Sequence, residues 1–132
     1  MTDQSERYHK EIIVEASHID ALGHVNNMVY LEWVLMMAGE HWFQTAPEED
    51  KSQFRWVVRR HELDYLKPAF EGDKLIATTW VEEMGGVQSI RRVDLEREGV
   101  KVLSARTVWI LIDAESGRLS RVPDRLTALY FQ

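Results

Sequence analysis

From Met28 to Phe43 nearly every residue is apolar, with Glu32, Glu40 and His41 as the exceptions. Sixteen residues exceed a typical strand, and the Leu, Met and Ala content favours helix. The segment predicts one helix about 24 Å long at 1.5 Å per residue. Apolar on most of its circumference, it belongs in an interior and needs a sheet to cover it. Asn26 or Asn27 supplies the N-cap. Just before it, Asp20-Ala-Leu-Gly-His-Val-Asn-Asn-Met-Val-Tyr30 gathers a carboxylate, an imidazole, two side-chain amides and a phenol. That cluster falls where a helix leaves backbone N–H groups unpaired and the dipole is positive.

The rest of the chain supplies the sheet. Residues 8–16 read as a first strand. Four longer ones follow at about 54–66, 73–84, 86–97 and 100–113, with a further piece near 118–123. Gly85-Gly86 and Glu98-Gly99 predict tight hairpins and therefore antiparallel pairing. Residues 44–53 read as a polar loop. In the last long strand Val100, Val102, Val108, Ile110 and Ile112 fall on one face; Leu103, Ala105, Trp109 and Leu111 fall on the other. One helix covers one face only, so a second subunit is expected over the other. The fold class is α+β, a single domain over 1–132.

Composition excludes several functions. A net charge of -6 opposes non-specific nucleic-acid binding. With no cysteine there is no disulfide, thiolate nucleophile or Cys-based metal site. No apolar run reaches the roughly 20 residues of a membrane span. The opening residues lack signal-peptide features, so a cytoplasmic protein with no membrane partner is expected. The closing Leu-Tyr-Phe-Gln looks like what a protease leaves of a cleavable tag, which would give it no functional part.

The pattern Asp20-x-x-Gly23-His24-Val25-Asn26-Asn27-x-x-Tyr30, followed by Leu31-Glu32-Trp33, resembles the hotdog-fold acyl-CoA thioesterases of the 4-hydroxybenzoyl-CoA thioesterase family. His61-x-x-x-Tyr65-x-x-Pro68, Gly72-Asp73-x-Leu75, Arg106-Thr107 and Gly117-Arg118 add weaker support in the same order. The resemblance implies a sheet wrapped around one helix and Asp20 as catalytic nucleophile or general base. It implies the Asn27 backbone N–H as holder of the thioester oxygen. It also implies sites between the subunits of a homodimer, with pairing into a homotetramer. His-Val-Asn-Asn is similar as well to the plant acyl carrier protein thioesterases. Leu22 stands where those enzymes carry an asparagine, and they have two hotdog repeats.

Thioester hydrolysis needs a nucleophile and an oxyanion site; coenzyme A thiolate leaves readily, so no strong acid is required. Aspartates are ionised at neutral pH and suit either attack or proton removal from water. The alternative for Asp20 is to cap the turn before Gly23. His24 is the candidate assistant, or else a loop residue. Gly23, Asn26, Tyr30 and Glu62 are candidate substrate contacts. Their plainer roles are turn, N-cap, core aromatic and solvated strand face. His18, Asp20 and His24 lack a metal-binding spacing, so neither metal nor cofactor is expected beyond the coenzyme A of the substrate. Arg59, Arg60, Arg91, Arg92, Arg97, Lys101 and Arg106 could meet its phosphates, although surface charge explains each one singly. Trp33 and Trp56 could line an acyl pocket. The alternatives are a thioesterase acting on acyl carrier protein and a non-catalytic acyl-CoA-binding protein.

Overall fold

The computed structural model describes residues 5–131. Its strands are β1 (Tyr8–Ile13), β2 (Phe54–Tyr65), β3 (Lys74–Gly85), β4 (Gln88–Arg97) and β5 (Val100–Asp113). They form one antiparallel sheet in the order β1-β3-β4-β5-β2. Helix α1 (Asn27–Thr45) packs across β1, β3 and β4. Two short helices complete the chain, α2 (Glu48–Gln53) and α3 (Asp124–Thr127). No helix among the described residues is long and apolar enough to cross a membrane.

The β4–β5 turn shows why the pairing is antiparallel. Glu98 and Gly99 both have positive φ, 51° and 80°. Two such residues in sequence make the turn whose twist matches paired strands. Arg97 consequently faces Val100, and the ladder runs on from there.

Helix α1 buries Tyr30, Trp33, Val34, Met37, Ala38 and His41, a single 3.6-period stripe. These meet Leu75, Ala77, Val93, Leu95, Leu103 and Ala105 of the sheet. The helix is not buried all round, as its composition suggested. Met28, Leu35 and Phe43 form an exposed apolar stripe, because α1 lies over the β1–β3–β4 side and leaves the β5–β2 side open.

Three further expectations need correction. The 44–53 segment is not all loop: Pro47 caps α2, whose first turn holds Glu48, Glu49 and Asp50, the charges that suit a helix N-terminus. Asp50 is buried and ion-paired to Arg125 at 2.7 Å. Val102 does not share a face with Val108. A register shift between Leu95 and Glu96 turns it into the core. Finally, the chain end is structural. Tyr130 is 1% exposed, and its hydroxyl donates to Thr45 Oγ1 at 2.7 Å. Residue 132 lies outside the described residues, as do 1–4, which carry part of the signal-peptide reading. The piece near 118–123 does join the sheet, through a bridge between Leu119 and Ile112.

Candidate active site

The polar cluster folds into a tight loop closed by backbone hydrogen bonds. Ile19 bridges Val25, the Asp20 N–H donates to the His24 carbonyl at 3.0 Å, and the Asn26 N–H donates to the His18 carbonyl at 2.9 Å. Gly23 makes the reversal at φ +88°, a conformation costly for a residue with a Cβ. Asp20 Oδ1 accepts the Leu22 N–H at 2.9 Å, the turn-capping role its plainer reading predicts. Its Oδ2 has no hydrogen-bond partner among the described residues and is free for chemistry.

Asn26 is the N-cap. Its Oδ1 accepts the Met28 N–H at 2.7 Å, worth about 1 kcal/mol. Its carbonyl takes the Val29 and Tyr30 N–H groups. The Asn27 N–H, at the first helical position, has no partner among the described residues. One short loop thus carries an unengaged carboxylate oxygen and an unengaged helix-start donor.

The other candidates are placed differently. The His24 ring stacks edge-on against Phe70, with centroids 6.4 Å apart, and its imidazole makes no hydrogen bond to the Asp20 carboxylate. Tyr30 is buried between Trp33 and Tyr65. Burial pushes its pKa up, partly offset by the nearby Ala69 backbone. Glu62 lies on the sheet face away from α1, paired with Arg60 and Arg106 at 3.2 and 3.3 Å. His18 Nδ1 accepts the Glu15 N–H at 2.9 Å. Among the described residues no three His, Asp or Glu side chains converge as metal ligands would. Of the basic residues, Arg92, Arg97 and Lys101 are paired with Glu82, Asp73 and Asp94.

Along the C-terminal half of α1 opens a cavity of about 410 Å³, walled by Leu35, Trp42, Trp56 and Met84. Trp56 lines this cavity; Trp33 belongs to the main core.

A family model described as the thioesterase-like superfamily matches residues 14–129, which take in the loop, α1 and all the strands except β1. The chain belongs to the thioesterase-like superfamily. The long-chain acyl-CoA thioesterase FadM of Escherichia coli is 28% identical over 116 residues, covering 80% of this chain and 83% of FadM. A chloroplastic acyl-[acyl-carrier-protein] hydrolase of Cuphea viscosissima is 29% identical over 86 residues, 64% of this chain. The match spans only 21% of that plant protein's length. A Thermus thermophilus thioesterase, solved with coenzyme A and Zn, superposes with a TM-score of 0.79 at 24% identity, covering 91% and 94% of the two chains. At that identity it shows the shared fold, the antiparallel hotdog sheet with its packed helix.

This thioesterase-like chain also holds a buried polar network that reading its residues singly missed. Arg91 is not surface charge: it is 6% exposed. Its Nη1 donates to His41 Nδ1 at 2.8 Å and to Thr79 Oγ1 at 3.2 Å. Arginine only donates, so Nδ1 is the acceptor and the His41 proton sits on Nε2, which donates to Glu6 Oε1 at 2.7 Å. Strand alternation was the available signal, since Arg91 shares parity with the buried Val93 and Leu95.

Burial holds His41 below its ordinary pKa of 6.5; Glu6 opposes this and Arg91 adds to it. Burial lowers His61 as well. Both groups bind a proton more readily in the unfolded chain. Their stabilising contribution is therefore complete above about pH 6.5 and is lost as pH falls towards the folded-state values. The urea midpoint should drop between pH 6.5 and 5.5, with a shallower drop in His41→Gln. A flat profile across that window would show that neither imidazole is held neutral.

Proposed function

We propose that the protein hydrolyses an acyl-CoA thioester to the free acid and coenzyme A. Support comes from one juxtaposition: the free Oδ2 of Asp20 and the free N–H of Asn27 share the loop that starts α1. Asp20 Oδ2 attacks the thioester carbonyl or takes the proton of an attacking water. The Asn27 N–H, at the positive end of the helix dipole, receives the oxyanion. The tetrahedral intermediate then collapses, the C–S bond breaks, and the thiolate departs with its electron pair. Where water attacked, the free acid is formed directly; where Asp20 attacked, water then opens the acyl-aspartyl anhydride to the free acid and regenerates the carboxylate. No metal is needed in this scheme. The active assembly is proposed to be a homodimer or larger. FadM is a long-chain acyl-CoA thioesterase. The similarity to a plant acyl-[acyl-carrier-protein] hydrolase supports a second reading, in which the carrier is a protein.

Free-thiol release decides between them. Short, long and aromatic acyl-CoAs and a matched acyl carrier protein thioester are supplied, with and without chelator. Turnover of acyl-CoA, unchanged by chelator, is the expected result. Release from the carrier protein alone would favour the second reading, and no release from any thioester would leave an acyl-binding protein without catalysis.

A further inference from the structure

The cavity beside α1 is apolar on its walls but not throughout. Arg91 reaches it from β4, and Trp109 reaches it from β5. Arg91 keeps its charge in a protein interior, and a buried cation is costly without a counter-charge. Among the described residues no carboxylate touches it. Glu6 lies one imidazole away, beyond His41. The Tyr130 ring covers part of the guanidinium, 5.5 Å from centroid to Cζ, and its hydroxyl oxygen is a neutral acceptor for it that brings no counter-charge. The Trp109 indole N–H is also buried and has no hydrogen-bond partner among the described residues. The carboxylate on the cavity wall, Glu48, is exposed and paired with Lys51 at 3.1 Å.

Beside the neutral hydroxyls of Ser89 and Tyr130, the deep polar groups facing this space are a cation and an indole N–H, with no anion among the described residues deep in the cavity. Arginine and the tryptophan indole cannot accept a hydrogen bond at all. A ligand that completes them must bring acceptors, and a carboxylate is acceptor-only, planar and anionic, matching the guanidinium fork. The volume fits such a ligand. At about 30 Å³ per water-sized heavy atom, 410 Å³ holds roughly a dozen atoms.

We propose that this cavity receives the far end of an acyl group that terminates in a carboxylate, held by the Arg91 guanidinium with the Trp109 N–H beside it. The inference rests on the thioesterase reading above, with the catalytic loop supplied by a second copy, since no residue of the Asp20–Asn27 loop lines the cavity, and it specifies the substrate class. Arg91 is then the specificity-determining residue. A neutral alkyl terminus of equal length leaves the Arg91 charge without a counter-charge and the Trp109 N–H unpaired, a loss that hydrophobic contact does not restore.

The test compares adipoyl-CoA with hexanoyl-CoA, which differ by the terminal carboxylate. Wild-type protein should favour adipoyl-CoA in kcat/KM by roughly tenfold to a hundredfold, the worth of a charge-assisted hydrogen bond in a dry site. In Arg91→Met the ratio should collapse towards one or invert. Arg91→Lys, which keeps the charge but loses the fork, should fall between. A second readout needs no turnover: free adipate should perturb the tryptophan fluorescence of the wild type, hexanoate should do so less, and Arg91→Met should lose the adipate response. Should Arg91→Met fail to fold, the wild-type ratio and the adipate–hexanoate comparison still decide. Equal turnover of both thioesters together with no adipate response overturns the carboxylate assignment and leaves the thioesterase reading standing. No turnover of either, with an Arg91-dependent adipate response, overturns the thioesterase reading and supports the cavity.

Discussion

Asp20→Asn should lose roughly 10²- to 10⁴-fold in turnover, the usual worth of a positioned base or more for a nucleophile, with little change in stability. The asparagine variant is the informative one. Asp20 Oδ1 accepts the Leu22 N–H, and an asparagine Oδ1 can accept it equally. The loop that places residue 20 before α1 is then preserved, and what disappears is the anionic Oδ2. Asp20→Ala removes the turn contact too. It should therefore be at least as inactive and somewhat less stable. Single-turnover kinetics with acyl-CoA, alongside urea unfolding of each variant, separates the two effects. Near-normal turnover in Asp20→Asn, with an intact fold, would reduce Asp20 to a turn cap. The Asn27 N–H cannot be removed by an ordinary side-chain change. A residual rate in Asp20→Asn above the uncatalysed rate would reflect that donor and the binding of substrate.

The parts of this molecule legible in its sequence are those where local chemistry and tertiary packing agree. The N-cap at Asn26 stands directly before the apolar run, and Glu98-Gly99 has the composition of a turn requiring two positive φ angles. Helix α2 was hidden because Glu48–Gln53 is polar on every side, with Pro47 and the acidic first turn as its only signals. Arg91 and Arg92 read as one basic pair, yet strand alternation sends the first into the core and the second to the opposite face. Tyr130 was lost because a terminal segment reveals its packing only through its distant partner Thr45. The cavity was illegible for the same reason: it is assembled from α1, β2, β3, β4 and β5 across most of the chain.

Gly39→Arg should convert an assembled protein into an inactive monomer that remains folded. Two surfaces motivate this expectation. Strand β2 is a sheet edge of twelve residues, long enough to template pairing with another strand. Beside it α1 leaves Met28, Leu35 and Phe43 exposed as one apolar stripe, with Gly39 at its centre. Leu35, Gly39 and Phe43 also line the cavity, so an adipate fluorescence response retained in Gly39→Arg is what assigns its lost activity to lost assembly. A Cβ built on Gly39 meets nothing within 4 Å, and arginine is a better helix former than glycine, so the isolated chain should tolerate the change. A second copy packed on that stripe would not. Loss of activity should follow from the length of α1. The cavity lies alongside residues 35–43, roughly 13 to 25 Å along the axis from the helix start that carries Asp20 and Asn27. None of residues 20–27 lines the cavity, so catalytic loop and cavity are not joined within one chain. Two copies related by a two-fold axis, their α1 helices antiparallel, would bring the catalytic loop of one beside the cavity of the other. Sedimentation velocity at assay concentration, thermal unfolding and thiol release on the same sample are the measurements. A monomeric Gly39→Arg protein with full activity would show that each chain works alone and would move the acyl site away from this cavity.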